Sequence, residues 1–289
     1  MFDLKYHITS LVAVFCALAI GVFIGSNLVG NDVLVEQQKE IVSRLEREFN
    51  MLREQNRTTQ DELMVFKDTT DDYRSYCEQT FPLLVEDRLS GMKVAVIETQ
   101  PLGLSEKAKQ TLRLAGAEIP YAITFDWAVD PDFSAVLTEQ DPGDKPLPSQ
   151  KLNARVAEAL GGILVHGKSH PVFESLVEAG FIRAEGSVGT AVDAVVILGG
   201  SEEDRSSIAD SFDLPLAEAF LTGGVEVVAA EFSDAEYSYL EMYKLKGCTT
   251  IDNADSTIGQ TSMVFALAGK KGYYGTGATA ERLIPELQP

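Results

Sequence analysis

Two imidazoles stand four residues apart in His166-Gly167-Lys168-Ser169-His170. On a helix that spacing places both on one face, as in many metal sites. Gly167 and the following Pro171 argue against a helix there. The other reading is a strand-to-helix loop with Ser169 or His170 near the next cap. A soft transition metal asks for several convergent His, Cys or Met ligands. Cys248 is the third candidate, while Met242 and Met263 are spaced for core burial. The metal candidates are therefore His166, His170 and Cys248.

Hard-cation or paired-acid chemistry would fall to Asp252-Asn253-Ala254-Asp255-Ser256. The alternative is an Asx turn with Asp255 or Ser256 capping the next helix. A second place to look is the Gly199-Gly200 turn that ends the apolar run DAVVIL. In open α/β sheets ligands sit beyond the carboxyl ends of the strands. That makes Gly199, Gly200, Asp252, Asn253 and Asp255 the candidate binding residues. Ser187, Ser201 and Ser206 lack a nucleophile elbow, and the chain has three histidines. The loop after the first strand carries Pro101 and Gly103 but neither GxGxxG nor GxxxxGK[ST]. The residues point to no catalytic group and to no required cofactor.

The elements that must position these residues alternate between strand and helix. Met92–Glu98 reads as a buried strand, Ser105 as an N-cap, Glu106–Ala115 as a helix closed by Gly116, and Ala117–Ile123 as a second strand. Asp130–Ser149, with four prolines, reads as an exposed loop or insertion. Gln150–Leu160 and Pro171–Ala179 read as helices, with an apolar segment Gly161–His166 between them. Asp193–Leu198 is the clearest central strand, followed by a helix at Leu216–Leu221 and a strand at Val225–Glu231. A helix from Ser233 or Asp234 to Lys246, a strand Cys248–Ile251 and a helix Thr257–Ala268 complete the order. The expected fold is α/β, with a doubly wound, mostly parallel domain over residues 90–289.

Before that domain, residues 31–81 predict a long coiled-coil stalk helix. Leu34, Gln38, Ile41, Leu45, Phe49, Leu52, Asn56, Thr59, Leu63, Phe66, Thr70, Tyr73 and Cys77 alternate spacings of three and four, with one stutter at Leu45–Phe49. Asn56 is the kind of seam residue that fixes register. A parallel homodimer through this stretch is expected; the alternative is a helix folded back on the globular domain. Residues 1–30 form the third segment. Ile8–Gly30 holds no charge and is long enough for a transmembrane helix of ~20 residues. Gly25-Ser26-Asn27 poorly matches a cleavage site, so the segment reads as an uncleaved signal-anchor. Lys5 and the amino terminus against Asp3 on one side, with Asp32, Glu36, Lys39 and Glu40 on the other, give a small bias that places the N-terminus in the cytoplasm and the bulk outside it. Ala13, Ala17, Gly21 and Gly25 recur every four residues, a ladder that lets membrane helices approach closely; the other reading is that small residues are common in such helices.

The chain has 289 residues and a formal net charge of −20, which disfavours nucleic acid and anionic lipid surfaces as partners. Its cysteines, Cys16, Cys77 and Cys248, form no CxxC and imply no secreted disulfide framework. A Cys77–Cys248 bond and an intermolecular Cys77 pair both remain open.

Two end motifs give a resemblance. His7-Ile8-Thr9-Ser10-Leu11-Val12-Ala13-Val14-Phe15 runs on to Gly21 and Gly25. Near the other end stand Thr250-Ile251-Asp252-Asn253-Ala254-Asp255-Ser256-Thr257-Ile258-Gly259-Gln260, then Gly272-Tyr273-Tyr274-Gly275, then Ala280 and Leu283-Ile284-Pro285. With the stalk between them, the chain resembles the actinobacterial MctB family, described as copper transporter or copper transport outer-membrane proteins. That resemblance implies copper efflux and homeostasis, with copper ion as cargo, in a membrane protein. The family also includes SteB-like coiled-coil envelope proteins that work with a cell-division or cell-wall-hydrolase partner. A dimeric, non-enzymatic scaffold is therefore the alternative expectation.

Overall fold

The computed structural model describes residues 4–128, 133, 148–167 and 171–287, without the side chains of 4 and 27–34. His170 and most of the proline-rich stretch 130–149 lie outside the described residues. The chain divides into two units, Met1–Tyr73 and Arg74–Pro289.

The first unit is helical throughout its described residues, as part of α1 (Leu4–Val85). Lys5–Ser26 is long and apolar enough to cross a membrane. A Cβ on Gly21 or Gly25 would meet nothing within 4 Å, so this face of the helix is open. The predicted stalk seam is equally uncovered: Ile41, Leu45, Phe49, Leu52, Leu63, Phe66 and Tyr73 are all more than half exposed.

The second unit opens with the last turns of α1. Pro82 lies inside the helix, which ends at Val85. Phe81, Val85 and Leu89 are buried against the sheet. The sheet has seven strands in the order β3-β2-β1-β4-β5-β6-β7. They are β1 (Val94–Glu98), β2 (Tyr121–Phe125), β3 (Ile182–Gly186), β4 (Ala194–Gly199), β5 (Glu226–Glu231), β6 (Thr249–Ile251) and β7 (Tyr273–Tyr274). All neighbours pair parallel except β2 and β3. The central strands β1 and β4 are buried at every position, because helices cover both faces.

Alternate side chains enter two cores. Ala95, Ile97, Val195, Ile197, Val227 and Ala229 face one layer, built from α3 (Ser149–His166), α4 (Pro171–Glu178), α6 (Leu214–Thr222) and α7 (Leu240–Leu245). Val94, Val96, Val196, Leu198, Val228 and Ala230 face the other, built from the end of α1, α2 (Leu104–Leu114) and α8 (Thr257–Leu267). This α/β/α sandwich is the doubly wound, mostly parallel domain expected from the strand–helix alternation.

Several local expectations need correction. Helix α2 begins at Leu104, not after a Ser105 cap; its N-cap is Gly103 at φ 82, which supplies no side-chain oxygen. The Glu98 carboxylate at the end of β1 accepts from the Leu104 N–H instead, at 2.8 Å. Gly161–His166 is the continuation of α3, not a separate segment. Strand β3 was unforeseen, since four of its five residues are exposed and two are charged, as an edge strand permits. The helix expected from Ser233 shrinks to α7, because residues 232–239 turn to bring Tyr239 over Glu231. Before α6 the chain forms α5 (Ser206–Ile208) and a π-helical stretch, Ala209–Asp213. Pro215 explains the wider turn: it has no N–H to donate, and its ring would crowd the carbonyl four residues back.

Candidate ligand site at the switch point of the sheet

Strand β1 lies between β2, its successor in sequence, and β4. Connections leaving β1 and β4 therefore diverge to opposite sides, which opens a crevice at their carboxyl ends. A cleft of about 230 Å³ occupies this position, lined by Gln100 and Pro101 after β1, Asp126 and Trp127 after β2, and Ser201, Glu202, Glu203 and Arg205 after β4. Gly199 ends β4 and Gly200 follows it, just before the lining residue Ser201; neither of these sequence candidates itself lines the cleft. Gly200 has φ +82, and a Cβ there would lie 3.1 Å from Glu231 Cγ. Glycine is required by both the backbone conformation and the closeness of Glu231.

Trp127, the chain's single tryptophan, is fixed on two sides. Its Nε1–H donates to the Thr99 carbonyl at 2.7 Å. Its ring meets Phe181 and Phe212 edge-on, with centroids 5.0 and 5.1 Å away. On the facing wall the Arg205 guanidinium donates to Gln100 Oε1 at 3.3 Å and lies 3.7 Å from Glu203. Gln100 is 3% exposed, and its Nε2 has no hydrogen-bond partner among the described residues.

Below the cleft lies a buried polar network. Thr99 Oγ1 donates to Asp213 Oδ2 at 2.9 Å. The Tyr239 N–H donates to Glu231 Oε1 at 2.7 Å, and its hydroxyl bonds Ser201 Oγ at 2.6 Å and accepts from Arg205 N–H at 2.8 Å. Asp213 and Glu231 are almost wholly buried. Burial pushes both carboxyls up to about 7; the charge of Glu231 adds to the effect on Asp213, and the charge of Asp252 to that on Glu231. Among the described residues, Asp213 Oδ1 and the Tyr243 hydroxyl are buried with no hydrogen-bond partner at normal distance. The cleft is thus small and polar-walled, and the two buried carboxyls hold their protons to higher pH than ordinary carboxyls do.

The remaining sequence candidates are placed elsewhere. Asp252 ends β6 and holds the Gly275–Gly277 turn: it accepts from Thr276 N–H at 2.8 Å and from Gly277 N–H. A Cβ on Gly275 would fall 1.6 Å from Asp252 Oδ1. Asn253 is buried, and its carbonyl lies where a Cβ on Gly259 would be. Asp255 accepts from the Ser233 N–H and hydroxyl, at 2.7 and 2.9 Å. Ser256 caps α8 by accepting from Gly259 N–H at 3.0 Å. The capping alternative accounts for this segment, and its carboxylates are occupied in holding backbone together. His166 is exposed at the last residue of α3. Cys248 is 1% exposed, and burial pushes its thiol up to about 12. Among the described residues no group of three or more His, Cys, Asp or Glu is placed to hold a metal ion. All three cysteines are free.

Sequence reasoning missed Gln100, Trp127, Arg205, Asp213, Glu231 and Tyr239. Gln100 had a signal, since it lies two residues past the buried run VAVIE, where a crevice residue belongs. Asp213 had none: it comes to the site on a π-helical turn more than 100 residues from Thr99.

Over residues 1–285 the chain matches the family described as copper transport outer membrane protein, MctB. Comparison with curated proteins finds no match. With the match covering the membrane-helix candidate, the long helix and the α/β domain, the chain belongs to the MctB family of membrane proteins related to copper transport.

Proposed function

We propose that the protein serves copper efflux and homeostasis as a membrane-tethered, non-enzymatic scaffold. Residues 1–30 act as an uncleaved signal-anchor in the cell membrane, with the N-terminus cytoplasmic and the α/β domain extracytoplasmic. Residues 31–81 pair with a second copy as a parallel coiled coil. The domain then positions or regulates an envelope partner, such as a cell-division or wall-hydrolase protein; copper is cargo of the system and no cofactor is required.

The observation that carries this reading is the uncovered seam. From Ile41 to Tyr73 the apolar positions at heptad spacing are 56–71% exposed on a single chain. Apolar residues recurring at heptad spacing over that length, even with polar seam residues among them, favour a partner helix. The charge difference across the apolar segment supports the orientation. Tethering raises the local concentration of the two stalks and so favours pairing of a seam that includes polar residues.

Two measurements on the full-length protein in detergent test the proposal. Sedimentation should give a dimer that Leu52→Asp with Phe66→Asp converts to monomer. In cells, removing two whole heptads from the stalk should raise copper sensitivity. A second reading, direct copper carriage, predicts saturable heat on titration with micromolar copper, weakened by substituting His166, His170 or Cys248. Heat of that kind together with an unaltered phenotype for the shortened stalk would reject the scaffold.

A further inference from the structure

We propose that an apolar groove within the unit Arg74–Pro289 receives the end of α1 from a second copy of this chain, each copy seating its helix against the other's groove. The inference rests on the parallel coiled coil proposed above, and it adds an interface with the α/β domain that a coiled coil alone does not need.

The groove has a volume of about 440 Å³. One wall is the end of α1, through Tyr76, Cys77, Thr80, Phe81, Leu83 and Leu84. The other wall is the first turn of α8 and the stretch after β7, through Ile258, Ile284 and Leu287. Three observations identify the occupant. The first is register. The spacings of three and four that run through Phe66, Thr70, Tyr73 and Cys77 continue to Thr80 and Leu84. With Asn56 at heptad position a, Cys77 and Leu84 fall at a, Thr80 at d, Phe81 at e, and Tyr76 and Leu83 at g. Every residue that α1 gives to the groove thus stands at a position that faces a partner helix in a coiled coil. The second is exposure. Tyr76 and Leu83 line the groove yet are 67% and 77% exposed. Large apolar side chains left in water beside an apolar groove favour a cover. The third is symmetry. In a parallel two-fold pair each a or d residue meets its own counterpart, so one helix end lies where the other copy's groove opens, and the reverse. Ile258, Ile284 and Leu287 then give the partner helix an apolar contact from the domain. A small apolar ligand would fit the volume, but it would not account for the heptad placement of the helical wall.

The test uses the full-length protein in detergent with Cys16→Ser, which leaves Cys77 and the buried Cys248 as its thiols. A short bismaleimide should join two copies through Cys77. With Cys77→Ser added, Thr59→Cys at a seam position should also join them, and Ser75→Cys at position f should not. N-ethylmaleimide should modify Cys77 more slowly in the dimer than in the monomer made by Leu52→Asp with Phe66→Asp. Leu287→Asp lies outside the seam and should weaken dimerisation about tenfold in sedimentation, because it sets a charge against an apolar contact. Cross-linking through Thr59→Cys with none through Cys77 would leave the stalk paired and overturn the groove contact alone. A monomer with no cross-link at either position would reject pairing of the stalk and this inference with it. Equal linking through Ser75→Cys and Cys77 would mark random collision. Protection of Cys77 that persists in the Leu52→Asp, Phe66→Asp monomer would mark a bound apolar molecule instead of a helix. Either result overturns the proposal, as does a Leu287→Asp protein that dimerises as tightly as the unaltered one.

Discussion

Asp252 looks like a reactive group in the sequence and proves to be a latch. Its two oxygens accept from backbone N–H groups of the turn that follows β7, and Gly275 leaves room for them. Gly275 and Gly269 both have positive φ, but a Cβ at Gly269 meets open space. Gly269→Ala should therefore cost about 1–2 kcal/mol from backbone strain alone. Gly275→Ala should cost at least about 3 kcal/mol, because the clash with Asp252 is added. Urea denaturation of the two variants checks the difference. Asp213 and Glu231 make a second residue-scale prediction. Their folded-state pKa values of about 7 exceed the ordinary carboxylate range. Between about pH 4 and pH 7 the folded protein keeps protons that the unfolded chain releases. Stability should therefore fall as pH rises through that window, by at most about 1.4 kcal/mol per pH unit for each group, and level off above it. Asp213→Asn should remove about half of this slope in denaturation followed from pH 4 to pH 8.

The start of α2 shows how an element is set by a residue outside it. Gly103 cannot cap, so Glu98, 4% exposed at the end of β1, accepts the Leu104 N–H. This bond joins the sheet to the helix beside the cleft. Glu98→Ala should lower stability by about 1–2 kcal/mol, as for loss of an N-cap, whereas Glu98→Gln keeps an acceptor and should lose less. Thermal unfolding of both variants makes the comparison. The π-helical turn before Pro215 works in the same way, since it carries Asp213 to Thr99.

For the molecule as a whole, the segment Lys5–Ser26 is long and apolar enough to cross a membrane. About 20 apolar residues in a helix match the hydrocarbon thickness of a bilayer. Deleting residues 4–26 should move the protein from the carbonate-resistant membrane fraction to the soluble fraction. A deletion variant that stays in the membrane pellet would contradict anchoring by this helix.

The parts legible from sequence are those in which period and length carry the information. The charge-free run and the heptad-spaced stretch both lie in one long helix, and the buried runs VAVIE and DAVVIL lie in central strands, as period and length alone imply. Ser256 as a cap was likewise a matter of neighbours along the chain. The cleft was different. Gln100, Trp127, Arg205, Asp213 and Glu231 come from five separate stretches, and only the order of strands, with β1 set between β2 and β4, brings those stretches to one edge. Tertiary structure also separated carboxylates that hold turns from carboxylates that are buried in the core. Whether an Asp holds a turn or shares a buried site depends on which N–H groups face it and how much water reaches it, and both are settled by packing.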